Sequence, residues 1–463
     1  MKVTQVALRP TPASDAAGRP ALTPELLAAS GARYSRNNEG LESILSKIDP
    51  ENLDKSVDGI FRMIDYGHQS IADMAPVAMF IDGVSLWLAY QVWAFCPTAG
   101  GQESSTRYIN YSNAENLDAA SFGIPENLQT EWRAAMQQSF RAYKTALELW
   151  ENIGAQNPEL TRIPRALLED QSDKAQKQVA RMKRNYAFDR ARNFLPVAAP
   201  TNMMMVMSAR GWVNLCQHLL SHPLPEAQRL GILIREELPL AAPRLLKHAV
   251  EKDATRNGWQ REFQTWQKRA QAGQREYSLC GECAPTAHLE VFPTSEIEEK
   301  NFADDLEFHD NRYAWIGSTL QRTSVRFSWD AVALAEIRDL NRHRTGTKYC
   351  PLVPVGFYSS LDQLPAENLT LQELSTPSAQ LSNYARELLT EGDASFVCWT
   401  LLGTQYFFEH TTTADKFIYE AELRTGTGAH FRYAKHLHDA LALWFEKFPL
   451  TRGLISEGRA EPE

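Results

Sequence analysis

The hydrophobic and polar positions of the chain fall mostly into a helical period, interrupted by short runs that read as strands. Helical spacing starts near Pro24, continues from Glu39 to Ile48 as far as Pro50, and resumes from Val57 to Tyr66, where Gly67 stops it. Val77 to Ile81 predicts a short buried strand, and Gly83 opens an apolar helix that runs through Trp93. From Pro125 to Ala191 the pattern is long-helix material, with Trp132, Phe140, Tyr143, Leu147 and Trp150 marking a buried stripe. The proline-punctuated turn ARNFLPVAAPT precedes a predicted helix from Asn202 to Leu220, in which Met203 to Met207 reads as core because methionine fills irregular gaps. The first twenty residues, rich in Pro, Ala and Thr, predict an irregular arm. The polar stretch from Glu251 to Gln274 predicts a connection between two halves. Beyond it, His288 to Phe292 and Ser324 to Ser328 read as strands. Pro377 to Leu389 reads as a helix with Thr376 as N-cap and proline at the first helical position.

One stretch, Ser328 to Tyr358, changes pattern abruptly. Its first part predicts an amphipathic helix capped by Ser328, with Asp330 at the positive end and Ala331, Leu334, Ala335 and Arg338 on one face. Arg342, His343 and Arg344 follow where that helix runs out, and GTKYCPLVPVG continues as loop. Two guanidiniums and an imidazole delivered from a helix end suit a phosphate or an anionic ring, and equally describe a solvated basic patch. A second polar cluster, Gln102, Glu103, Ser105, Arg107 and Tyr108, emerges from the loop after Cys96 and reads as a functional box or as a turn with an exposed arginine.

Composition narrows the class. With 463 residues the chain can build two to four domain-sized units, and 43% hydrophobic with 23% charged residues excludes a disordered or collagen-like chain. A formal net charge of −9 provides no global field for a polyanion, so nucleic acid is disfavoured as a partner and any anion site must be local. The N-terminus lacks the apolar core of a secretory signal, and no apolar run reaches membrane-spanning length. Six scattered cysteines do not form a disulfide framework, which predicts a reducing, cytoplasmic location. The pair Cys280 and Cys283 lacks the second pair a structural zinc site needs, although His288 and a partner chain could complete one, and no metal is expected.

The block from Gly67 to Tyr108 resembles the flavin-dependent thymidylate synthases, a family that shows an HxS/TxxE stretch, a GVSR-like helix ending in RHR, and an NExSxRY box. Here His68, Ser70 and Asp73 stand at the first group, Gly83-Val84-Ser85 at the helix start, and Gln102 to Tyr108 at the last, whereas Ala94-Phe95-Cys96 replaces RHR. The block after Ala191 is similar to the family's ARxxLP turn and its NxRxLxxFxxLRxxxxAQ helix. Arg192, Leu195, Pro196, Arg210 and Ala227-Gln228 match; Asn214 stands at a flavin-binding asparagine, Ser208 replaces the first asparagine, and the LR arginine is lost. The second half looks like another copy with different losses. Arg342-His343-Arg344 matches RHR and Leu423-Arg424 with Ala429-His430 matches LRxxxxAQ, while Ile316 and Gln321 replace the first group and Val397 replaces the ARxxLP arginine.

The losses are complementary. In the family the active sites lie between subunits of a tetramer, one subunit giving RHR and the LR arginine, its neighbour the SxR pair and the ARxxLP arginine. The first copy keeps Glu103, Ser105, Arg107 and Arg192; the second keeps Arg342, His343, Arg344 and Arg424. Random decay would not be expected to sort itself this way, so one retained site per chain is the favoured reading. The resemblance implies an α+β fold: two tandem units, residues 1–285 and 286–463, each a small mixed sheet wrapped by helices, form a pseudo-dimer. Two chains would then restore a pseudo-tetramer. It also implies methylation of a pyrimidine nucleotide, dUMP to dTMP, with FAD as cofactor and methylenetetrahydrofolate and NADPH as co-substrates. Arg424 is carried over as the catalytic residue, Glu103, Ser105, Arg107, Arg192, Asp339 and Arg342 as substrate contacts. Ser70, Asp73, Arg210, Asn214, Arg342, His343 and Arg344 are carried over as flavin contacts, and His68 as a neighbour of the folate. Asp339 replaces a glutamine that faces the pyrimidine, and a carboxylate there could accept from a cytosine amino group, so a different pyrimidine, free or in nucleic acid, stays open beside a non-catalytic flavin- or nucleotide-binding homologue.

Overall fold

The structure, a computed structural model, describes the chain except residues 37–39, 50–51, 66–68, 113–116, 274–281, 293–298, 365–366 and 460–463. It is α+β, with two antiparallel sheets and long helices. Two compact units interleave along the chain. The first holds Met1–Ser104, Ser121–Gly123 and Pro200–Phe263; the second holds Ser105–Ala120, Ile124–Ala199 and Gln264–Glu463.

In the first unit, strands β1 (Lys2–Val6), β2 (Pro76–Ser85), β3 (Gly100–Glu103) and β4 (Pro200–Ser208) form a sheet in the order β1-β2-β4-β3. The start of the expected irregular arm is therefore an edge strand, pairing Lys2–Val6 with Ala78–Asp82. The expected helix from Asn202 begins only at Ala209, where Ser208 caps it by accepting from Gly211 N. Met203, Met205 and Met207 are buried in alternation, so the methionine run is core but has the strand period, and β2–β4 pairing overrides its helical propensity. For the same reason β2 continues past Gly83, which takes φ 72 beside a bulge, and Ser85 caps the helix Leu86–Phe95.

The second unit contains β5 (Ala287–Phe292), β6 (Ser324–Ala333), β7 (Thr347–Tyr349), β8 (Gly356–Phe357) and β9 (Thr404–Thr413), in the order β5-β6-β9-β7 with β8 also on β9. This repeats the strand order of the first sheet, and each sheet continues from its third strand in the order (β4, β9) into a helix, Ala209–Leu220 and Ala414–Thr425. Ser328 is not a cap: it pairs with Glu409 inside β6, and only Leu334–Leu340 is helical. The alternation Phe327 and Trp329 against Tyr406, Phe408 and His410 fills the space over the sheet. Pro377 lies inside the helix Leu369–Glu391, whose cap is Asn368 rather than Thr376. The polar stretch after Glu251 is itself a helix, Asp253–Gly273.

The same unit takes the helices Gln129–Gln156 and Asp173–Ala191. The stripe Trp132, Phe140, Tyr143, Leu147 and Trp150 is buried as expected, and Trp132 Nε1 donates to Cys398 O at 2.9 Å. The ARxxLP turn and its counterpart in the second half meet reciprocally. Val197 N donates to Thr400 O (3.1 Å), Leu402 N donates to Leu195 O (2.8 Å), and Pro196 bridges Leu401. Because Pro196 and Leu401 hold the same position in their respective copies, this is the bonding pattern of a local two-fold axis.

Candidate functional site

Within the second unit the chain gathers charged residues that its sequence keeps far apart. Arg192 is the last-turn cap of the helix Asp173–Ala191, and Asp339, Arg342 and His343 leave the end of the helix Leu334–Leu340. Arg424 lies in the last turn of the helix Ala414–Thr425, and Arg107 follows Ser105, whose Oγ accepts from Arg107 N at 3.2 Å. Arg192 Nη2 donates to Asp339 Oδ2 at 3.0 Å, Arg342 Nη2 lies 3.2 Å from Asp339 Oδ1, and Arg192 Nη1 reaches Thr106 Oγ1 at 3.4 Å. Arg107 grips Asp189 in a bidentate pair (2.7 and 2.8 Å) and donates through Nη1 to Gly428 O at 3.1 Å. Arg192 and Asp189 are 1% exposed, Asp339 2%, so these are interior ion pairs.

The electrostatics follow from that packing. Burial pushes the Asp339 carboxyl up, but Arg342, Arg192 and Arg107 outweigh it and hold Asp339 well below the usual carboxylate range. Asp189 is likewise held low, chiefly by Arg107 against its own burial. Each oxygen of Asp339 already meets an arginine, so a cytosine amino group would share it with Arg192 or Arg342. His430 accepts from Arg432 N through Nδ1 (3.2 Å) and donates through Nε2 to Asp189 O (3.1 Å), which makes it the neutral Nε2–H tautomer; burial holds its pKa far below normal. His343 accepts from Arg424 Nε at 2.6 Å, and burial, with Arg424 adding to it, pushes it down to about 3.

These buried neutral imidazoles carry a pH signature. The unfolded chain protonates each near pH 6.5, whereas the folded chain leaves His343 neutral until about 3, so neither gains nor costs anything above pH 6.5 and stability falls as acid is added below it. The urea midpoint should therefore decline steadily from pH 7 to pH 5, before ordinary carboxylates titrate. A midpoint flat over that window would contradict the assignment of neutral His343 and His430.

The remaining predicted residues divide by unit. In the first, Arg210 Nη1 lies 3.1 Å from Asp73 Oδ2 and Ser208 Oγ donates to Asp73 Oδ1 at 3.4 Å; these side chains, with Ser70 and Asn214, face solvent at least in part. Glu103 accepts from Trp93 Nε1 at 3.2 Å. Arg344 is half-buried on the loop after Arg342 and His343. His68 and Cys280 lie outside the described residues; Cys283 Sγ donates to Val355 O at 3.1 Å. Sequence reasoning missed Asp189, His410 and Glu420. The signal for Glu420 was available, since it lies one turn before Arg424 on the same helix face, whereas nothing local marked Asp189 as the partner of Arg107.

Fold and site together define an α+β protein with a duplicated sheet-and-helix plan and an arginine-rich buried cluster. Residues 21–244 match the family model described as thymidylate synthase complementing protein. A curated relative, the UPF0159 protein Ta1429 of Thermoplasma acidophilum, is 26% identical in an alignment 238 residues long that covers 48% of this chain; the chain spans about half the length (48%) of that relative. Among solved structures, the flavin-dependent thymidylate synthase ThyX of Helicobacter pylori, complexed with FAD and dUMP, is similar at 16% identity and TM-score 0.31, over 54% of this chain and 100% of that one. The UMP/dUMP methylase PolB of Streptomyces cacaoi, bound with 5-Br dUMP, is similar at 14% identity and TM-score 0.33, over 54% of this chain and 97% of that one. No helix among the described residues is long and apolar enough to cross a membrane.

Proposed function

We propose that the chain methylates C5 of a pyrimidine nucleotide, dUMP to dTMP, at one composite site per chain built from copies spanning residues 1–285 and 286–463. The observation that carries this reading is the pairing of retained residues: Arg107 and Arg192 from the first copy share one unit with Asp339, Arg342, His343 and Arg424 from the second, and Arg192 touches Asp339 directly at 3.0 Å. Uracil C5 becomes nucleophilic only as negative charge builds on the ring. Arg424, whose Nε is tied to His343, has its Nη groups left to stabilise that charge without a covalent nucleophile. Arg342, nearly half exposed at its side chain, and Ser105 are the groups that orient the nucleotide.

FAD fits the donor sets of each unit taken alone. Arg342 and Arg344 in one, and Arg210 with Asn214 in the other, offer solvent-accessible cations and an amide suited to a diphosphate and an adenine edge. When bound, the flavin supplies the hydride that completes the transferred one-carbon group, with methylenetetrahydrofolate as carbon source and NADPH as reductant. Purified protein titrated with FAD should gain flavin absorbance that saturates at one equivalent. With all co-substrates it should release tritium from 5-tritiated dUMP. Absence of flavin uptake would remove the reading.

A second reading, nucleotide or flavin binding without turnover, is favoured by one observation: Asp189 and Asp339 already neutralise Arg107 and Arg192, the two arginines of the first copy carried over as substrate contacts. Flavin uptake and dUMP binding with no tritium release would select it. Two chains associating into a pseudo-tetramer is part of the first reading, and light scattering showing a strict monomer well above assay concentration speaks against that part.

A further inference from the structure

Behind Arg424 lies a buried acid–imidazole pair that the proposed reaction does not use. Glu420 stands one turn before Arg424 on the helix Ala414–Thr425, at the position where the NxRxLxxFxxLR pattern has an apolar phenylalanine, and it is 1% exposed. A buried carboxylate is costly unless its surroundings compensate, so its presence needs a partner. Two imidazoles face it. His410 Nδ1, from β9, lies 3.0 Å from Glu420 Oε2, and His343 Nδ1 lies 3.9 Å from the same oxygen. The other charged group on this side is Lys348 of β7, whose Nζ donates to His343 O.

Counting protons fixes the states. Arg424 Nε can only donate, so His343 Nε2 accepts, and a neutral His343 then carries its proton on Nδ1, toward Glu420. His410 Nε2 lies 2.7 Å from Thr345 O, a carbonyl that can only accept, so that nitrogen carries a proton. His410 Nδ1 stands 3.0 Å from Glu420 Oε2, at residues 0% and 1% exposed, without the alignment of a hydrogen bond. Burial pushes the Glu420 carboxyl up, but the facing imidazoles outweigh it and hold it below its usual range.

We propose that Glu420, 3.0 Å from His410 and 3.9 Å from His343, is a positioning residue that favours the Nδ1–H tautomer of His343, so that His343 anchors Arg424 by Nε and leaves both Nη groups for the pyrimidine edge. This rests on the reading of Arg424 as the ring-stabilising cation. A protonated His343 would have no lone pair for Arg424 and would repel it, and an Nε2–H tautomer would push it off. The carboxylate 3.9 Å behind Nδ1 favours a proton there and so disfavours the second. The RHR histidine then serves the arginine of the LR motif rather than the flavin, in departure from the role implied by resemblance.

The test separates anchoring from activity. Two-bond nitrogen–proton spectra of the full chain labelled with 15N-histidine, assigned with H343Q and H410Q, should show His343 protonated on Nδ1 only. Glu420→Gln, checked for an unchanged far-UV spectrum, should let His343 populate the Nε2–H tautomer as well. It should also lower kcat at least tenfold while the KM for the nucleotide stays within twofold, with Glu420→Asp recovering part of the loss. Wild-type His343 protonated on Nε2, or a His343 tautomer unchanged in Glu420→Gln, overturns the proposal. So does wild-type kcat in Glu420→Gln. If no methylated product forms at all yet the histidine spectra are as described, the anchoring stands and the proposed methylation falls.

Discussion

Replacing Asp339 by Ala is expected to destabilise the fold by about 3–5 kcal/mol, the usual cost of removing one partner from a buried ion pair. Asp339 is 2% exposed and its oxygens take Arg192 at 3.0 Å and Arg342 at 3.2 Å. Its loss strands the Arg192 guanidinium, 1% exposed, with only a long contact to Thr106 Oγ1 (3.4 Å) among its nearby neutral acceptors. The isosteric change Asp339→Asn would be a poor remedy, since the amide N–H₂ group it introduces would face a cation. Removing both charges with Arg192→Met and Asp339→Leu should cost much less than Asp339→Ala alone, because no buried ion is left unpaired, Arg342 being nearly half exposed to water. Urea unfolding monitored by tryptophan fluorescence measures both. A loss below about 1 kcal/mol in Asp339→Ala would mean that water or a rearranged acceptor reaches Arg192, contrary to the burial described.

Arg424→Ala is expected to lower kcat by about 10²–10³-fold, or ~2.7–4 kcal/mol, because it removes charge stabilisation needed only as the ring becomes anionic. Nucleotide KM should change little. Arg424→Lys should recover only part of the rate, since a point charge cannot take an acceptor edge with two parallel N–H groups. Steady-state rates at saturating dUMP decide it, and a wild-type kcat in Arg424→Ala sinks the assignment. Arg107→Ala behaves differently from what its motif suggests. Its Nε and Nη2 are committed to Asp189 and its Nη1 to Gly428 O, so the variant loses stability before any phosphate contact is considered. Its effect on nucleotide affinity is interpretable only at temperatures where the variant is folded.

The architecture was legible where the pattern was long and redundant. The buried stripe from Trp132 to Trp150 and the two sets of motif residues could be read directly, because helical periodicity and spacing are properties of neighbouring positions. The failures share one cause, tertiary pairing that local pattern does not encode. Met203–Met207 and Ser328–Ala333 have a helical reading in the sequence, yet each is a strand because the partner strand lies more than a hundred residues away in sequence or, for β6, on both sides of it. Lys2–Val6 became an edge strand for the same reason. In the site, the arginines were identifiable from motif context. Their counter-ions were not: Asp189 serves Arg107 across 82 positions and Asp339 serves Arg192 across 147, and a lone aspartate on a charged helix has no sequence mark of such a role.

The reciprocal bonds between residues 195–197 and 400–402 have a consequence for how the protein responds to dilution. In a pair of separate subunits such a dyad contact would dissociate as concentration falls. Carried on one chain, it is closed intramolecularly, so the partner turn is always present. The turns therefore stay paired at any protein concentration, and since each is encoded once, a substitution on one side is not mirrored on the other. Cutting the chain between the two turns would make their pairing depend on concentration again.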